Sequence, residues 1–250
     1  MHFTTSLLVL FLCVSASYSA FSRESTEVNL LAVANENRLL QYYDNDRSKG
    51  PSIEILQAIL KEAQLDANVV FMPWVRAFAT ASNNPNTLIL SIIRTPERED
   101  NFYWLIKVSN LTRVFIFLTG KPENFVDNMQ QAKQKLIATV KGSASYKELI
   151  SLGFSEQKNL YVVPDSKLAV TLLKNGRVDL VYDDPINVRN ILNEQEGSDV
   201  AINHKEIAAE NQRSSYIAIN KATDIEIVNR LQQAARKFEK TTEYAQLLIK

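Results

Sequence analysis

The alternation of apolar and polar positions divides most of this chain into short strands and amphipathic helices. Residues 28–33 form a compact apolar run that reads as a first strand. A polar stretch over 44–50 separates it from a helix opened by Pro51, with Ile53, Leu56, Ile59, Leu60 and Ala63 recurring at helical spacing. Residues 68–71 predict a second strand, 75–81 a short helix, and 87–93 a buried strand with Ser91 as its polar interruption. The middle of the chain repeats the scheme. Strands are expected over 136–140, 160–163 and 178–182, with a turn at Gly142 and Ser143 into a helix around 146–152. A further helix starts at Ser166 and is closed by Gly176. The strand over 178–182 runs directly into Asp183, Asp184 and Pro185, and Pro185 opens a helix through Val188, Ile191 and Leu192. A strand over 215–219 and a long amphipathic helix over 225–238 complete the pattern.

Strands alternating with helices define the α/β class. No Pro/Gly/Ser-rich spacer divides the chain, so two lobes joined by strands fit better than two separate beads, with crossings near 108–117 and 207–215. Ligands in open α/β sheets gather at the carboxyl ends of strands. That rule singles out residues 91–98, 142–145 and 182–184.

The amino terminus changes the picture of location. Residues 7–14 (LLVLFLCV) are too short an apolar run to span a bilayer and are followed by small residues, the pattern of a secretory signal over residues 1–20. The alternative, a buried amino-terminal helix, would want polar positions at helical spacing, which this run lacks. Cys13 is the single cysteine and falls inside the run, so the processed chain is expected to carry no disulfide and to depend on a packed core. Lys plus Arg number 28 and Asp plus Glu 28, with no clustered basic surplus, which argues against a nucleic-acid partner. No later segment approaches the length of a membrane helix, so a soluble exported protein is expected.

Six segments, in order, resemble the periplasmic solute-binding proteins for polar amino acids (family 3), over almost all of the processed chain. They are Gly50-Pro51-Ser52-Ile53-Glu54-Ile55, Met72-Pro73-Trp74-Val75-Arg76-Ala77, Arg94-Thr95-Pro96-Glu97-Arg98, Val140-Lys141-Gly142-Ser143, the run from Asn175 to Asp184, and the last stretch from Tyr216 through the helix near Tyr244. The resemblance implies a type II periplasmic-binding fold: two lobes, a central ligand cleft and two hinge strands. Lobe 1 would take residues 21–112 and 209–250, and lobe 2 residues 113–208. It further implies a periplasmic monomer without cofactor or metal that hands a small solute to an ABC importer or a sensor protein.

Site roles follow from the same resemblance. Arg98 matches the arginine that grips a ligand carboxylate, for which a guanidinium fork is suited; the residues alone allow equally a surface arginine paired with Glu97 or Asp100. Asp184 matches the acid that accepts from a ligand ammonium, and the Asp-Pro step also suits a helix N-cap. Ser143 and Ala144 fall where the family offers donors at a helix N-terminus, and Trp74 where it places an aromatic wall. Arg76 either points into the same cleft or solvates a helix face. Ser91 stands at the carboxyl end of its strand, and Tyr42 or its neighbour Tyr43 would provide a second aromatic wall. Two departures bear on the ligand: Ile93 stands where relatives place a hydroxyl residue, and Arg94 adds a cation. Together they suggest a second acidic group on the ligand, or a carboxylate without an amine.

Three functions compete. A binding protein without catalysis leads. An enzyme is the second, because a dehydratase of cyclohexadienyl acids shares the two-lobe architecture; Glu54 or Asp184 would then carry acid–base chemistry, since the processed chain holds one histidine, His204, and no cysteine. The third is a soluble sensory protein feeding a membrane receptor.

Overall fold

The computed structural model describes residues 29–195, 200–207 and 212–249. The expected signal over residues 1–20, Cys13 with it, lies outside the described residues. The strands are β1 (Asn29–Ala34), β2 (Tyr42–Asp44), β3 (Arg47–Lys49), β4 (Asp66–Phe71), β5 (Thr87–Ile93), β6 (Phe102–Thr112), β7 (Val114–Leu118), β8 (Ile137–Val140), β9 (Leu160–Val163), β10 (Leu180–Asp183), β11 (Ile202–Lys205) and β12 (Gln212–Asn220). The helices are α1 (Pro51–Ala63), α2 (Trp74–Asn83), α3 (Met129–Ala132), α4 (Ala144–Ser151), α5 (Ser166–Lys174), α6 (Pro185–Glu194), α7 (Ile225–Phe238) and α8 (Thr242–Leu247).

Two five-stranded mixed sheets organise these elements, in the orders β4-β1-β5-β12-β6 and β11-β7-β10-β8-β9. β1 runs parallel to β4 and β5, whereas β12 is antiparallel to β5 and β6. In the second sheet β8 is parallel to β9 and β10, and β7 is antiparallel to β10 and β11. The chain leaves the first sheet at the end of β6, passes Arg113 and enters the second as β7; it returns between β11 and β12. Two connections therefore join two lobes, with the space between the sheets set at the ends of the strands.

Each sheet is covered on both faces, which its side-chain alternation requires. Leu30, Ala32 and Ala34 of β1 pack under α1 and α7, while Val33 faces Trp74 and Ala77 of α2. In β7, Val114 and Ile116 pack with α5 and α6, while Phe115 and Phe117 face Leu149 of α4 and Phe154. Helix ends are marked by local chemistry. Asp224 caps α7 by accepting from Glu226 N–H at 2.7 Å, and Arg236 and Lys237 sit in its last turn, where cations favour the helix dipole.

α7 has the bounds that its periodicity predicts, and so does β9. The polar stretch over 44–50 holds more structure than its composition suggests: β2 and β3 pair there as a hairpin around Asn45 and Asp46, both at positive φ. The strand expected over 108–117 is two strands in two different sheets, parted at Arg113.

Candidate functional site

The floor of the inter-lobe cleft is shaped by a break in β5. Ile89 pairs with Ala218 and Ile92 with Tyr216, so Leu90 and Ser91 together face one residue, Ile217. Ser91 is the extra residue of this bulge and adopts φ 55. Its consequence is a change of parity: Leu88 and Leu90 point to the α1 side, but Ile92 points to the α2 side. Ser91 itself turns to the cleft, donating to Gln41 Oε1 at 2.6 Å and meeting Ser52 Oγ at 2.7 Å. Gln41 and Ser52 are both fully buried, and Gln41 is further held by its amide donating to Asn35 O at 3.0 Å. A backbone conformation this uncommon for a serine, held by a buried polar network, makes this floor a candidate site.

Arg98 lies in a 3-10 turn (Pro96–Asn101) directly after β5 and lines the same space. It is 1% exposed. The guanidinium sits between two aromatic rings, 5.2 Å from the Trp74 centroid and 5.1 Å from that of Phe78. Nη1 donates to Ile93 O at 2.9 Å, while Nε is buried without a hydrogen-bond partner. Burial pushes its pKa down to about 10, with Glu97 pulling weakly the other way, so it is still a cation at neutral pH. A buried, charged fork with an orphan donor is costly on its own and is relieved by an anion.

The second lobe supplies the opposite wall. Gly142 takes φ 68 in the tight turn out of β8, a conformation suited to glycine. Ser143 then caps α4, its hydroxyl accepting from Tyr146 N–H at 3.0 Å. Ser143, Ala144 and Ser145 line the cleft at the positive end of this helix, where first-turn N–H groups have no partner within the helix. Asp183, at the end of β10, and Arg113 also line it, with Arg113 Nη1 3.3 Å from Asp183 Oδ1. Thr139 and Tyr182 add two hydroxyls that are buried and unpartnered. Burial raises the Tyr182 pKa further above its ordinary value, so the phenol is a neutral donor.

The lobes touch across the cleft. Trp74 Nε1 donates to Gly142 O at 2.9 Å, and Arg38 Nε meets Glu194 Oε2 at 2.8 Å on the rim. The cavity kept between them is about 80 Å³, several times the roughly 10–15 Å³ that one water requires. Among the described residues no group of three His, Cys, Asp or Glu side chains is placed to hold a metal ion. His204 is exposed on β11.

Of the residues expected from sequence, Arg98, Trp74, Ser91, Ser143 and Ala144 come together in this cleft. Four others stand away from its lining. Asp184 is engaged elsewhere: Oδ1 accepts from Ile186 and Asn187 N–H as the α6 cap, and Oδ2 accepts from Thr112 N–H at 2.8 Å. Its neighbour Asp183 takes the cleft position, because adjacent residues leave a strand on opposite sides. Arg94 turns outward to pair with Glu99, over the rings of Trp104 and Tyr216. Arg76 is exposed on α2, and Tyr42 lies in the β2–β3 hairpin beneath the Arg38 guanidinium. Sequence reasoning missed Gln41 and Arg113, and of the adjacent pair Asp183 and Asp184, one free to cap while the other lines the cleft, it chose Asp184 where the lining residue is Asp183. Gln41 is a single polar residue in an otherwise apolar and aromatic run (Leu39-Leu40-Gln41-Tyr42-Tyr43), which was its available signal.

Two α/β lobes, two connections and a cation-bearing cleft between them define a two-lobe solute-binding protein. The chain belongs to the bacterial extracellular solute-binding proteins, family 3, whose model matches residues 30–250. It is 23% identical over 204 residues to the L-cystine-binding protein TcyA of Bacillus subtilis (strain 168), covering 79% of this chain and 71% of that one. Among solved structures, it resembles the amino acid ABC transporter substrate-binding protein AbpA of Streptococcus pneumoniae, which is bound to L-arginine, with a TM-score of 0.74 and 19% identity. That match covers 88% of this chain and 92% of the other. A histidine kinase sensor domain with similarity to periplasmic binding proteins matches with a TM-score of 0.76 and 15% identity, over 88% and 93% of the two chains.

Proposed function

We propose that this protein is an exported binding protein that captures a small carboxylate-bearing metabolite, an amino acid first among them, between its two lobes. The observation that carries this reading is Arg98: a cation in the cleft, 1% exposed, with an unpartnered Nε and no ion pair to any described residue. A carboxylate is the ligand group whose two oxygens match such a fork. The α4 N-terminus on the facing wall favours the same charge. The family and the relatives with amino-acid ligands support the amino-acid class. Closure of the lobes on the ligand would present a joint surface to the membrane part of an ABC importer. Delivery to a membrane sensor is the second reading, favoured by the likeness to a histidine kinase sensor domain. In both, the protein binds without catalysis and acts in the periplasm.

The test is thermal unfolding of the processed protein against amino acids, dicarboxylates and other small acids. A ligand at a hundred times its dissociation constant should stabilise the fold by about 2.7 kcal/mol. The shift should vanish in a folded Arg98→Met variant. A shift of equal size in that variant would remove Arg98 from the binding site.

A further inference from the structure

Arg98 does not account for all the charge in the cleft. Arg113 stands where β6 gives way to β7, at the joint between the lobes, and its side chain is 10% exposed. Its Nε and Nη1 are buried without hydrogen-bond partners. The 3.3 Å approach of Nη1 to Asp183 Oδ1 is an ion-pair contact outside hydrogen-bond geometry. Asp183 is meanwhile well supplied with other donors. Oδ1 accepts from Asp184 N–H at 2.7 Å, and Oδ2 accepts from Ser166 Oγ and from Asn187 Nδ2, each at 3.2 Å. Asp184 is held equally firmly, outside the lining, by the α6 cap and Thr112.

The balance is therefore two buried guanidiniums with orphan donors against one carboxylate already engaged by three hydrogen bonds. An ammonium group brought into this cleft would compete with Arg113 for the one acceptor site left on Asp183 Oδ1, and would add a third cation to the two guanidiniums. A ligand with a single carboxylate would satisfy one arginine and leave the other desolvated. We propose that the ligand carries two acidic groups on a short chain, one held by Arg98 and the other by Arg113, and that Arg113 sets the preference for the second acid. This rests on the reading of the cleft as a carboxylate site given above. The shared chemistry is a pair of carboxylates; an acidic amino acid and a plain dicarboxylic acid both provide it.

Titration calorimetry on the processed protein separates the cases, with L-glutamate, L-aspartate, glutarate and succinate as the di-acids. L-glutamine, L-asparagine, L-alanine and L-arginine are the single-carboxylate probes. The wild type should bind at least one di-acid about tenfold or more tighter than its amide or any other single-carboxylate probe, as expected where a buried polar group would otherwise stay unpaired. In Arg113→Gln that ratio should collapse toward one. Arg113→Lys should restore part of it, and carries the test alone if Arg113→Gln fails to fold, by lowering the wild-type ratio. Tighter binding of glutarate or succinate than of glutamate or aspartate would identify a plain dicarboxylate; the reverse would identify an acidic amino acid. Preference for a single-carboxylate probe, or a ratio unchanged in the Arg113 variants, would overturn the second acid while leaving Arg98 as the carboxylate grip. Binding that survives Arg98→Met, or no binding of any probe, would overturn the underlying site reading and this inference with it.

Discussion

At the scale of the residue, the binding role proposed for Arg98 would oppose stability. The guanidinium is desolvated, and its aromatic sandwich and single bond to Ile93 O compensate only in part. Replacing it with methionine removes the charge and keeps an unbranched side chain between Trp74 and Phe78. The unliganded variant should unfold at a midpoint at or above that of the wild type, by on the order of 1 kcal/mol, while losing its ligand. A fall of that size or more would make Arg98 a structural strut. The pH dependence has a defined sign. Burial lowers the Arg98 pKa to about 10, so folding disfavours the cation; that cost is fully present below pH 10 and fades as pH rises toward the unfolded value. On the proposed role of Arg98, ligand affinity would need the same cation. It should be flat between about pH 6 and 9, and should fall below about pH 4 as a ligand carboxylate protonates.

The elements place these residues through a few special backbone positions. Gly50 precedes α1 at φ 108, and a Cβ there would lie 2.5 Å from Leu40 O, in the segment that carries Gln41 into the floor. Gly50→Ala should therefore destabilise the fold by about 1–3 kcal/mol in chemical denaturation, with weaker ligand binding as the Gln41–Ser91–Ser52 network shifts. An unchanged midpoint would show that this turn does not constrain the floor. Much of this layer was readable in advance. Helices with apolar residues at i, i+3 and i+4 and a proline at the first turn, such as α1 and α6, announce themselves, as do short β-branched runs such as β9. The bulge at Ser91 was visible as a polar interruption, but not as a change of parity, because that depends on the pairing of β5 with β12 across the chain. The choice between Asp183 and Asp184 turns on which way one strand end faces, a matter of sheet register that neighbours in sequence cannot decide. Arg113 gave no local signal: its place at the cleft comes from two strands entering different sheets on either side of it.

At the scale of the whole molecule, the described side-chain contacts between the lobes include the Arg213–Glu148 pair at 3.1 Å, the Arg38–Glu194 pair and the Trp74–Gly142 bond. Arg38 with Glu194 lies on the rim, both partly exposed, and such a pair contributes at most about 1 kcal/mol. The Trp74 indole bond to Gly142 O is better shielded. Trp74→Phe should keep a ring beside Arg98 and lose this bond, weakening ligand affinity by about two- to tenfold. An affinity equal to the wild type would mean that closure does not draw on this contact. The proposed function stands or falls on a carboxylate ligand bound between the lobes at the buried Arg98. The most direct measurement is a calorimetric titration, into wild type and Arg98→Met side by side, of the acid giving the largest thermal shift. One-to-one binding to the wild type and none detectable to the folded variant is expected; equal affinity for both would remove Arg98 from the binding site.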